Sequence, residues 1–213
     1  MTKVCQKCSE EKSIEGFYKA RGGNTTPKTT SFNVYDELQD LSVEELKAMA
    51  DARRLPYAVA LANITGDLNT GSIIRSACVL GAERVFVFGK KKYDRRSTVG
   101  AHNYIDIISY PDDADLFDWS VVFQTIRVEG YTPVIIEQGG APLYALDVGH
   151  IPPPICLVFG SESEGIPPEH WSNELCYEIP QPGIVRSLNV AAAASIAMWH
   201  VMRGFLPSQS PEC

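Results

Sequence analysis

Three short segments of this 213-residue chain concentrate side chains that can orient a nucleophile or meet developing charge. In the first, Asn63-Ile64-Thr65-Gly66-Asp67-Leu68-Asn69-Thr70-Gly71-Ser72-Ile73-Ile74-Arg75, an amide at Asn69 is followed by a guanidinium at Arg75, about one and two-thirds turns further along a helix. The second, Phe159-Gly160-Ser161-Glu162-Ser163-Glu164-Gly165, carries a carboxylate, Glu162, between two glycines. The third, Ile179-Pro180-Gln181-Pro182-Gly183-Ile184-Val185-Arg186-Ser187-Leu188-Asn189-Val190, ends on a hydroxyl and an amide, Ser187 and Asn189. The second segment is not a phosphate-binding P-loop, since no Gly-Lys-Ser/Thr follows, and it lacks the G-x-S-x-G spacing of a hydrolase nucleophile. Amide, carboxylate, hydroxyl and guanidinium are groups for alignment and charge stabilisation. By local structure alone, Asn69 and Ser187 read as helix N-caps, the usual place for such side chains.

Segments of this kind belong where a strand hands over to a helix, because ligands in open α/β sheets gather at those junctions. The chain provides them. Short β-rich runs at 57–62, 84–88, 104–108, 132–136, 155–159 and 176–179 alternate with helical stretches, one passing through 73–80. This predicts an α/β fold with a mostly parallel sheet covered by helices on both faces. Ser42 and Glu45 form a capping-box pattern before Leu46, Met49 and Ala50, which predicts a helix over 43–54 closed by Pro56. A last helix is predicted from about 187 to 203, on the recurrence of Leu188, Ala192, Ile196, Trp199 and Met202 at three- and four-residue spacing.

Composition limits the class. With 45% hydrophobic residues the chain can bury one good core. No apolar run is long enough to span a membrane and no signal peptide opens the chain, so a cytoplasmic protein is expected. The net charge of −7 argues against general attraction to a polyanion; any contact with nucleic acid must be local. Two regions supply local positive charge: residues 1–30, and the cluster Lys90, Lys91, Lys92, Arg95 and Arg96. That cluster reads either as a solvated loop or as an RNA contact. Four regions are delimited: a basic, linker-like segment at 1–30, a helical extension at 31–56, the α/β domain at 57–206 and a tail at 207–213.

Taken together and in order, the three segments resemble the motifs of the SpoU (TrmH-like) family of RNA ribose 2′-O-methyltransferases: Asn-x-Gly-x-x-x-Arg, a strand ending in Gly-x-Glu-x-x-Gly, and Ile-Pro-x-x-Gly-x-x-x-Ser-Leu-Asn-Val. The resemblance covers about 150 residues, and the stretch from Arg95 through Ser97, Gly100 and Ala101 is similar to a loop of the family. It implies that the C-terminal strands and helix are threaded into a deep trefoil knot holding S-adenosylmethionine. True knots are otherwise almost absent from proteins, and periodicity alone gives only a doubly wound sheet. By this resemblance Gly160, Ile179 and Leu188 face the cofactor, with Gln138, Gly139 and Gly140 closing one side. Arg75 matches the catalytic arginine, Asn69 its partner, Glu162 the acid, expected to pair with a basic residue, and Ser187 with Asn189 the polar pair. A guanidinium offers donors and no acceptor, so Arg75 is read as holding a substrate phosphate or stabilising an alkoxide. The expected substrate is tRNA or rRNA, and the expected assembly a homodimer through the knot region. The alternative is a non-catalytic RNA-binding protein on the same scaffold. Gln181-Pro182 and Ala191-Ala192 depart from the family pattern, which bears on loop shape only.

Cys5 and Cys8 form one half of a zinc-site pattern, with no further Cys or His before Cys78. The site therefore lacks a second pair unless a dimer completes it, and a basic tail attracting RNA is the other reading. No metal is assigned.

Overall fold

The computed structural model describes residues 2–4, 11–13, 33–89, 93–110, 117–171 and 174–206, and the chain divides into two compact units, Met1–Thr30 and Ser31–Cys213. In the first unit β1 (Thr2–Val4) pairs antiparallel with β2 (Glu11–Ser13). Cys5 and Cys8, the two zinc candidates, lie outside the described residues.

The second unit opens with α1 (Val43–Asp51), whose capping box is made in full: the Ser42 hydroxyl accepts from the Glu45 N–H and the Glu45 carboxylate accepts from the Ser42 N–H. Then come β3 (Tyr57–Ala62), α2 (Asp67–Val79), β4 (Arg84–Phe88), β5 (Asp106–Tyr110), α3 (Trp119–Val128), β6 (Thr132–Pro142), β7 (Ile155–Phe159), β8 (Leu175–Glu178) and α4 (Val190–Phe205). Six strands form one sheet in the order β5-β4-β3-β7-β6-β8, with every neighbouring pair parallel.

The central strands are buried on both faces, which is why they read as unbroken apolar runs. Their alternation still sorts the core. Tyr57, Val59 and Leu61 of β3 face α2 and α4, against Ile73, Ile74, Ala77, Ala194, Ala197, Met198 and Val201. Ala58, Ala60 and Ala62 face the other way, where Phe86, Phe88, Trp119 and Phe123 fill the room that the alanines leave beneath α3. The α2–α4 layer is tied by a hydrogen bond between the Ser76 and Ser195 hydroxyls at 3.0 Å.

Several expected boundaries move. Asn69 is not an N-cap: α2 begins at Asp67 behind Gly66, leaving Asn69 inside the first turn. Ser187 is not one either: α4 begins at Val190, capped by Asn189, whose side chain accepts from the Ala191 and Ala192 N–H groups. α1 stops at Asp51, and Arg54 instead donates from Nη1 to the Ala82 carbonyl and from Nη2 to the Tyr104 carbonyl. β5 begins at Asp106 because Tyr104 closes a 3-10 turn. β6 runs on to Pro142, with its pairing to β8 broken between Ile136 and Ala141. The stripe used to predict α4 is not its buried face: Leu188, Ile196 and Trp199 are 40–49% exposed, while Ala194, Ala197, Met198 and Val201 are buried.

Candidate active site

The sheet order reverses between β3 and β7, since the chain runs outward from β3 to β4 and β5 and then returns to the other side. Ligand sites of open parallel sheets lie at the carboxyl ends of the strands at such a point. The loops leaving β3, β6, β7 and β8 all emerge there, and three of them are the segments singled out by composition.

These three segments are joined by one directional chain of hydrogen bonds. A carboxylate can only accept, and Glu162 accepts from the Thr65 N–H and hydroxyl on Oε2 (2.8 and 2.9 Å) and from the Gly66 N–H and Asn69 Nδ2 on Oε1 (3.2 and 2.8 Å). With its amide nitrogen turned to the carboxylate, Asn69 keeps its oxygen for Asn189 Nδ2, 3.0 Å away. Asn189 Oδ1 is thereby left to cap α4, accepting from Ala191 N–H at 2.9 Å and Ala192 N–H at 3.3 Å. Residues 93 and 120 positions apart thus hold one geometry.

Glu162 has no basic partner among the described residues, contrary to expectation; neutral donors at the entry to α2 take that place, where negative charge also suits the helix dipole. Partial burial pushes its carboxyl up, but the Thr65 backbone, the Asn69 amide, its own backbone N–H and the Thr65 hydroxyl outweigh burial and hold it at about 2.

Beside this chain opens a cavity of about 460 Å³, within the range of small-ligand pockets. Gln138, Gly160, Ile179 and Leu188 line it, together with Glu162, Ser187 and Asn189. Gly139 does not line it: its N–H turns to Glu178 Oε2 at 2.8 Å, and a Cβ there would meet the Trp171 ring at 3.4 Å. Gly140 packs against the Cys176–Tyr177 backbone, so closely that a Cβ there would lie 2.7 Å from the Tyr177 nitrogen. Asn69 stands behind the wall, and Arg75 is exposed on α2, away from the lining, with no hydrogen bond or ion pair to the described residues.

Sequence reasoning missed Glu137, which lines the cavity and accepts from the Gln138 N–H on Oε1 and from the Ile166 N–H on Oε2. Its only sequence signal is a charge at the end of an apolar strand.

The loop of Arg95 and Arg96 packs on α2. A Cβ on Gly71 would fall 1.6 Å from Ser97 Oγ, so only glycine admits the loop at this distance. Arg96 is paired with Asp94, and both arginines are exposed. The buried Thr98 hydroxyl donates to the Arg95 carbonyl (2.7 Å) and so accepts from His102 Nδ1 (2.5 Å). Val99 holds a left-handed φ of 49°, strained for a β-branched residue. Lys90, Lys91 and Lys92 lie outside the described residues. Among the described residues no group of three or more His, Cys, Asp or Glu side chains is arranged to hold a metal.

The sequence profile of the SpoU rRNA Methylase family matches residues 56–199. A 23S rRNA (guanosine-2'-O-)-methyltransferase of Yersinia pestis is 27% identical over 163 residues, 75% of this chain and 64% of its own. A 23S rRNA (uridine(2479)-2'-O)-methyltransferase of Streptomyces viridochromogenes is 31% identical over 146 residues, 63% of this chain and 48% of its own. The chain therefore spans less than two thirds of the length of either relative. Among solved structures, the AdoMet-bound rRNA methyltransferase from Sinorhizobium meliloti aligns with a TM-score of 0.61 at 25% identity, over 76% of this chain and 61% of that one. The SpoU methyltransferase AviRb from Streptomyces viridochromogenes, in complex with AdoMet, aligns with a TM-score of 0.54 at 27% identity, over 71% and 57%.

Proposed function

The chain belongs to the SpoU rRNA Methylase family, and from that premise we propose that it transfers a methyl group from S-adenosylmethionine to a ribose 2′-hydroxyl of rRNA or tRNA. The observation that carries this reading is the Glu162–Asn69–Asn189 chain, which locks the three motif loops together at the edge of a nucleoside-sized cavity. The cavity suits the cofactor by its volume and by walls made of loop backbone and of the apolar Ile179 and Leu188; two relatives of known structure hold AdoMet.

When bound, S-adenosylmethionine supplies a methyl activated by its sulfonium. The chain's own task is to align the ribose oxygen and to meet the charge it develops as its proton leaves. The donor would leave as a neutral thioether, keeping the electron pair of its methyl–sulfur bond, and the hydroxyl proton would pass to solvent, since the Arg75 guanidinium has no acceptor for it. In this reading Arg75 holds the substrate phosphate or the developing alkoxide, and its exposure, with no hydrogen bond or ion pair among the described residues, leaves it available. Arg95 and Arg96, on the loop docked against the helix that carries Arg75, contact the RNA backbone, and Lys90, Lys91 and Lys92 extend that strip in sequence.

We further propose a homodimer with the C-terminal region threaded as the family's trefoil knot. Support for the dimer comes from α4, where Ile196 and Trp199, one turn apart, are half-exposed apolar side chains. No helix among the described residues is long and apolar enough to cross a membrane, and we place the protein in the cytoplasm, where such RNAs are met. The test is transfer of labelled methyl from S-adenosylmethionine to unmodified tRNA and rRNA, followed by nucleoside digestion. Label on a ribose 2′-oxygen is the expected result. Cofactor binding without transfer to any RNA would move the assignment to a non-catalytic RNA-binding protein.

A further inference from the structure

The loop between the two paired stretches of β6 touches both of the other loops that wall the cavity, and it does so through consecutive side chains. Glu137 Oε2 accepts from the Ile166 N–H at 3.0 Å, fastening the loop that follows β7. Gln138 Nε2 donates to the Arg186 carbonyl at 2.9 Å, fastening the loop that precedes α4. The first arm is built closely: Gly165 holds φ +65°, and a Cβ there would lie 2.4 Å from Glu137 Oε2. The Ile166 backbone is held at both its N–H and its carbonyl, since the latter accepts from Trp171 Nε1 at 2.8 Å. This set of bonds is separate from the Glu162–Asn69–Asn189 chain and shares no residue with it.

We propose that Glu137 is a positioning residue for the methyl donor: with Gln138 it forms a two-armed clasp that fixes the spacing of the cavity walls. The inference rests on the methyltransferase reading of the cavity. The Glu137 carboxylate serves two backbone N–H groups, those of Gln138 (2.9 Å) and Ile166, and so needs two acceptor oxygens. A glutamine has only one, so Glu137→Gln keeps the volume and orphans one N–H. Hydrogen bonds to charged groups are worth enough that S-adenosylmethionine should bind about tenfold more weakly to this variant. Gly165→Ala, which drives a methyl group into the carboxylate, should weaken it likewise.

Two measurements on the full chain test this. Calorimetric titration with S-adenosylmethionine gives the affinity, and amide hydrogen exchange at Ile166 without ligand reads the clasp directly. Faster exchange at Ile166 together with the weakened affinity in Glu137→Gln, at a thermal midpoint close to that of the parent, is the expected result. Unchanged exchange, or unchanged affinity while the parent chain binds normally, overturns the clasp. A parent chain that does not bind S-adenosylmethionine, with exchange at Ile166 still raised in the variant, overturns the methyltransferase reading, and with it the clasp's role toward the donor.

Discussion

Arg75 and Glu162 divide the polar work of the site by their surroundings. Arg75 projects from α2 into solvent, whereas the Glu162 carboxylate is taken up by the Thr65, Gly66 and Asn69 donors at the entry to that helix. Substituting Arg75 should therefore cost reaction and little else: Arg75→Ala is expected to abolish methyl transfer while the S-adenosylmethionine affinity measured by calorimetry stays within about twofold, a difference of only a few tenths of a kcal/mol. Appreciable transfer by the variant would remove Arg75 from its role. Glu162 should behave in the opposite way. Its folded carboxyl lies near 2 against an ordinary 4.5, and a lowered carboxylate stabilises the fold in full above its ordinary value and loses that contribution as pH falls toward the folded one. The thermal midpoint of Glu162→Gln should thus lie below that of the parent at neutral pH, and the gap should close between pH 4.5 and 2. A gap independent of pH would mean that shape, not charge, is what matters there.

The elements carry these residues by close approach as much as by hydrogen bonding. The loop of Arg95 comes closest to clashing with α2 at Gly71, with 1.6 Å between a would-be Cβ and Ser97 Oγ. Gly71→Ala should destabilise the domain by about 1–3 kcal/mol in chemical denaturation, as overpacking usually does. Adding Ser97→Gly, which removes both the hydroxyl and the Cβ in the way, should recover most of that loss; failure to recover would show that the helix, not the loop, is intolerant. Legibility in the sequence differed among elements for physical reasons. β3, β4 and β7 were read residue for residue because burial on both faces leaves an unbroken apolar run. The start of α4 was misread because Ser187 and Asn189 are both capping residues, and what selects between them is Asn69, 120 positions away. Glu137 was missed for the same cause: its partner at Ile166 lies 29 positions on, and no periodicity announces such a contact.

For the molecule as a whole, the apolar side chains that made α4 legible as a helix do not face its own core. Ile196 and Trp199 remain half exposed, and with a second copy seated on them they would be covered. If the proposed dimer forms through this face, Trp199→Glu is expected to shift sedimentation from dimer to monomer and to reduce methyl transfer; an unchanged sedimentation coefficient would remove this face from the proposed assembly. The sheet order has a consequence of another kind, for synthesis. β3 finds its neighbour β4 close by in the chain, Val59 beside Val85, but its other neighbour, β7, joins Tyr57 to Ile155, 98 residues later. At ~5–20 residues per second on the ribosome, the inner edge of β3 waits roughly 5–20 s for its partner. During that interval a nascent chain displays a fully apolar strand with open backbone groups, the kind of edge that recruits neighbouring chains. The strand that ends up most deeply enclosed is thus the one whose protection during translation matters most.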